Sequence, residues 1–85
     1  MAKLFYVDLV RGKRVAFLAG PFKSEPIARK YERAAVAVAN ELDPRSHFDP
    51  FGVVGVDPEL YQAPGKVNHL IEIDPADLVA LEEAA

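Results

Sequence analysis

His47 and His69 are the side chains best suited to proton transfer or metal ligation in this 85-residue chain. His47 stands within Asp43-Pro44-Arg45-Ser46-His47-Phe48-Asp49, and His69 lies three residues before Glu72. A divalent metal needs three or four convergent donors at a recognisable spacing, and neither histidine belongs to such a set. With no cysteine in the chain, thiolate ligands, thiol catalysis and disulfides are excluded. The serines offer little nucleophilic chemistry. Ser24 is placed to cap a helix, and Ser46 adjoins His47, whereas neighbouring residues rarely face each other as nucleophile and base. No glycine-rich phosphate loop or nucleophile elbow is present. A chain this short leaves little room for a closed pocket in which two carboxylates could act as acid and base. No catalytic residue, no metal and no cofactor is therefore expected, and the protein reads as non-enzymatic.

The cations are a second chemical resource. Arg11, Lys13 and Arg14 crowd one short stretch, followed by Lys23, Arg29, Lys30 and Arg33. A two-stranded ribbon can enter a major groove, and aromatic side chains on a sheet (Tyr6 and Phe17) can stack on bases. Arg11, Lys13, Arg14 and Arg33 are the residues such a nucleic-acid reading would use. The overall balance opposes it. Residues 1–42 carry eight basic and four acidic side chains, whereas residues 43–85 carry two basic and nine acidic ones, giving a net charge of −3. An acidic half repels phosphate unless it faces away. The simpler expectation is that the two halves pack together with complementary charge.

The elements that must position these residues are legible in outline. Leu4–Val10 and Val15–Ala19 are β-branched and aromatic runs either side of Arg11-Gly12-Lys13-Arg14, a hairpin pattern. A two-residue loop at Gly12-Lys13 fits a type II′ turn and pairs Val10 with Val15, Asp8 with Phe17 and Tyr6 with Ala19. A three-residue loop would pair Leu9 with Val15 and Val7 with Phe17. Both registers remain open at this level. Ser24 then caps a helix that continues through Glu25 and Pro26 to Leu42. Its apolar positions Ile27, Tyr31, Ala34, Ala35, Val38 and Leu42 recur every three or four residues. Asp-Pro pairs at Asp43, Asp49, Asp57 and Asp74 punctuate the remainder. Between them the pattern predicts a strand over 52–56, a capped turn over 57–61, a strand over 66–73 and a helix from Asp74 to about Glu83. The expectation is one domain over 1–85, of α+β class: an antiparallel sheet of about four strands in the order β-β-α-β-β-α, with the long helix across one face.

The first hairpin is apolar on both sides. Phe5, Val7 and Leu9 point one way, and Leu4, Tyr6 and Val10 the other. One helix covers one side only, so the second side must meet the C-terminal segments, a second copy or another protein. Leu4, Tyr6, Val10 and Phe17 are accordingly the expected partner-binding residues, for a protein partner or a homodimer. The alternative closes that face within the chain by the 57–64 loop and the last helix, with Leu78, Val79 and Leu81. No apolar run approaches the ~20 residues of a membrane span, and the N-terminus reads as lacking a signal-peptide core, so no membrane partner and a cytoplasmic location are expected.

Ala19-Gly20-Pro21-Phe22-Lys23-Ser24-Glu25-Pro26-Ile27-Ala28 is similar to the strand–Gly–Pro–Phe–Ser–helix link of SPOR domains, which bind bacterial cell-wall glycan. The chain departs from that family in opening with a hairpin, so the resemblance is not adopted. In length, alanine content and want of a catalytic motif the whole chain resembles small accessory proteins of bacteriophages and prophages. That resemblance implies a protein that binds a host protein in the host cytoplasm and inhibits or redirects it.

Overall fold

The computed structural model describes residues 3–80. Strand β1, Leu4–Arg11, and strand β2, Arg14–Phe22, form the expected hairpin. Arg11 pairs with Arg14, Val10 with Val15, Leu9 with Ala16 and Asp8 with Phe17, so the loop has two residues. Gly12 adopts φ 59° and no non-glycine residue described has positive φ, which is the type II′ signature. Beyond Asp8 the two-residue register shifts twice, between Asp8 and Val7 and again between Val7 and Phe5. Val7 pairs with Ala19 and Phe5 with Phe22, which displaces the anticipated Tyr6–Ala19 pair.

Helix α1, Glu25–Leu42, begins where the sequence predicts, with the Ser24 hydroxyl accepting from the Ile27 amide. Its buried stripe is Ala28, Tyr31, Ala35, Val36 and Ala39. The anticipated stripe is rotated by about one residue. Ala34 faces solvent and Leu42 is 66% exposed, because small Ala28, Ala35 and Ala39 permit the closest approach to the sheet. Strand β3, Phe51–Val56, returns antiparallel to β1, giving the sheet order β2-β1-β3. On the helix-facing side Val7, Leu9, Leu18, Ala19 and Phe22 pack against Ala28, Tyr31 and Ala35, with Phe5 and Val53 at the margin. Phe22 and Tyr31 stack with ring centres 5.0 Å apart.

The α+β class and antiparallel sheet agree with expectation, but the described residues hold three strands and one α-helix. The predicted strand over 66–73 pairs only briefly. The Lys66 and Val67 amides donate to the Phe17 and Leu18 carbonyls, after which the Asn68 side chain takes over: its amide bonds both the N–H and the C=O of Gly20. With its backbone released, the chain turns through Asn68–Leu70. The predicted last helix is one 3-10 turn, Pro75–Asp77, capped by Asp74. It stops because the next residues bond to the end of β2: Leu78 bridges Phe22, and the Val79 amide donates to the Pro21 carbonyl. The rest of that predicted helix, including Leu81, lies outside the described residues.

Candidate functional site

Leu4 and Tyr6 are buried, so they are not an exposed docking surface. The reason is the segment that follows β3. Asp57 caps a turn by accepting from the Glu59 amide, and the chain then runs back over the sheet. Tyr61 packs edge-on against Tyr6 at 5.5 Å and against Phe17 at 4.7 Å, and Tyr6 lies 4.9 Å from Phe17. The Tyr6 hydroxyl donates to the Ala63 carbonyl at 2.7 Å. Burial, with a smaller contribution from Tyr61, pushes the Tyr6 phenol up to about 12. Val10 and Phe17 are half-buried on the same face. Of the four expected contact residues, two are interior and two keep part of their surface. The signal for this cover was Tyr61 ahead of Pro64-Gly65, an aromatic followed by a turn.

Of the cations of the nucleic-acid reading, Arg11, Lys13 and Arg14 sit together at the hairpin tip and Arg33 lies apart on α1. Lys13, Arg14 and Arg33 are exposed. Arg11 is engaged by two carboxylates, Asp43 at 2.9 Å and Asp49 at 2.7 Å, and its guanidinium holds the Asp43 carboxyl below the usual carboxylate range. This ties the hairpin tip to the end of α1 and to the 3-10 turn Pro44–Phe48, which Asp43 caps at the Arg45 amide. With Tyr6 enclosed and Phe17 packed between two tyrosines, the aromatic platform for bases is occupied by the protein itself.

An open groove of about 560 Å³ lies between the hairpin, the C-terminal end of α1 and Lys66-Val67. Its lining is largely apolar, with Leu9, Ala16, Leu18, Ala39 and Val67 joined by Val15 and Leu42, 52% and 66% exposed. Ser46 and the Arg11–Asp43 ion pair also line it. Arg14 and Lys66 complete it, and no carboxylate among the described residues lies within ion-pair distance of either. Alternation along β2 turns the Val15 N–H and C=O outward, away from β1, where no backbone partner meets them among the described residues. Sequence reasoning missed this groove because its parts come from four separate stretches.

His47 and His69 are exposed and lie on separate 3-10 turns. The Ser46 hydroxyl bonds the Asn40 side chain. Among the described residues no three His, Asp or Glu side chains converge as a metal site would require. Asp77 accepts from the Tyr31 hydroxyl at 2.5 Å and lies 3.5 Å from Lys30, and these partners lower its carboxyl, the hydroxyl bond most. Asp8 sits on the covered face, where burial raises its carboxyl against the opposing bonds of the Asp8 and Gly52 amides. No helix among the described residues is long and apolar enough to cross a membrane. Comparison of the chain with protein-family models, curated proteins and solved structures gives no match.

Proposed function

We propose that this is a non-enzymatic protein-binding module of the cytoplasm that receives an extended, acidic and apolar segment of a partner protein in the groove between β2 and α1. The observation that carries the reading is a largely apolar lining joined by two cations, Arg14 and Lys66, that have no ion-pair partner among the described residues, while Arg11 and Asp43 in the same groove pair with each other. An apolar side chain entering the groove would supply affinity, and a carboxylate beside these two cations would set orientation and speed encounter. The outward backbone groups of Val15 add a short strand edge on which the segment can pair. This moves the interface from the Tyr6 face to the α1 face of the hairpin, where an acidic segment suits Arg14 and Lys66. Occluding a host protein's surface in this way accords with the small phage accessory proteins that the chain resembles.

A random-peptide library selected on the protein tests the reading. Enriched peptides should alternate apolar residues with Asp or Glu and shift the amide resonances of Val15, Ala16 and Val67. Arg14→Glu or Lys66→Glu should weaken them at least tenfold (about 1.4 kcal/mol) while the fold persists. Peptides whose shifts map elsewhere, or are indifferent to both charge reversals, would refute it. Salt-sensitive binding to DNA or RNA in place of peptides would support the nucleic-acid alternative.

A further inference from the structure

The outer edge of β3 carries a second interaction surface, independent of the groove. We propose that β3 pairs antiparallel with β3 of a second copy, joining the two sheets into one, with Val53 facing Val53 across the two-fold axis.

The strand reads Phe51-Gly52-Val53-Val54-Gly55-Val56, with no charge and no proline. Natural edge strands usually carry such residues, or a covering segment, to prevent pairing with another chain. The opposite edge of this sheet has both: Arg14 near the tip, and residues 65–67 bonded along β2. On β3 no outward backbone group has a backbone partner among the described residues.

The pairing phase is set inside the molecule. The Val10 amide donates to the Pro50 carbonyl, which turns Val10, Asp8, Tyr6 and Leu4 toward β3. Their partners Gly52, Val54 and Val56 therefore face β1, leaving the N–H and C=O of Phe51, Val53 and Gly55 directed outward. Two copies can exchange hydrogen bonds only between outward-facing residues. The register centred on Val53 uses the full strand and pairs Phe51 with the second copy's Gly55, and Gly52 with its Val54. Each glycine then meets a large side chain, so the strand is complementary in volume to its own reverse. A two-residue slip in either direction shortens the overlap and separates Phe51 from Gly55.

The exposed apolar residues lie where this pairing would cover them. Phe48 is 89% exposed, Phe51 51% and Leu60 82%, and all fall within four residues of the ends of β3. Antiparallel pairing brings the Phe48–Phe51 end of one copy to the Leu60 end of the other. The two-fold axis runs perpendicular to the sheet and keeps both α1 helices on one face.

Sedimentation between roughly 10 µM and 1 mM should show a mass rising from one copy to two, as a modest interface implies. Over the same range, hydrogen exchange should slow with concentration at Phe51, Val53 and Gly55. Gly52, Val54 and Val56, already bonded to β1, should not change. Phe51→Lys should weaken association at least tenfold. A chain that stays single throughout, or a dimer whose protection changes lie elsewhere, overturns the proposal. Should Phe51→Lys fail to fold, exchange on the unmodified chain decides. Because the groove and β3 are on opposite edges, peptide binding and self-association fail independently.

Discussion

Tyr6 settles which side of the hairpin is closed, and it does so with both ends of its side chain. Its ring lies among Phe17 and Tyr61, and its hydroxyl holds the Ala63 carbonyl. Removing the ring leaves a cavity under the 57–64 segment, so Tyr6→Ala should cost about 3–5 kcal/mol in urea unfolding. Tyr6→Phe keeps the ring and orphans one carbonyl, for a loss of about 1 kcal/mol. Equal losses for the two variants would mean that the hydroxyl, and not the packing, holds the segment down. From the sequence Tyr6 is legible as a β residue on the face opposite Val7 and Leu9, expected to meet a partner, with the 57–64 loop as the alternative cover. Nothing in the pattern chooses that alternative or singles out Tyr61, because it lies 55 positions away and no periodicity links the two.

At the scale of elements, local chemistry marks the turns and the helix, and long-range pairing decides the rest. Gly12 allows a tight hairpin, and Ser24 with Glu25 and Pro26 opens α1, because each acts within a few residues of itself. The 66–73 segment has the alternation of a strand, yet the Asn68 amide satisfies Gly20 in place of a backbone ladder. No local pattern announces that substitution. The segment reaches β2 at all only because Gly65 has no side chain: a Cβ there would lie 2.4 Å from the Ala19 Cα. Gly65→Ala should therefore destabilise by about 1–3 kcal/mol and release the Lys66 and Val67 amides to faster exchange. Unchanged protection at those two amides would show that the contact is not tight.

The whole molecule is organised by its uneven charge. Among the described residues, each ion pair between distant parts of the chain joins a cation of the first half to an acid of the second: Arg11 to Asp43 and Asp49, and Lys30 to Asp77. The complementary halves expected from composition are thus visible as contacts. Asp43 and Asp77 have lowered folded pKa values, so the stability they contribute is present above the ordinary aspartate value of about 3.9 and lost as pH falls through their folded values. Asp8 acts in the opposite sense. Its raised value means that ionisation opposes folding as pH rises from the ordinary value through the folded one. Urea midpoints should accordingly drop below about pH 4. Asp77→Asn should lower the neutral midpoint and flatten that drop, whereas Asp8→Asn should raise the neutral midpoint. A loss of neutral stability in Asp8→Asn would show that the amide bonds to its carboxylate outweigh its burial.

The strap from Asp57 to Val67 also sets an order of events on the ribosome. A nascent chain that has emerged only as far as Val56 holds the residues of its three strands and its helix, but nothing yet to lie over Leu4 and Tyr6. Those side chains are shielded only when residues 57–67 have left the exit tunnel. The strap must therefore follow the sheet out before the fold is sealed, and until then the growing polypeptide presents a greasy face to any chaperone waiting at the tunnel mouth.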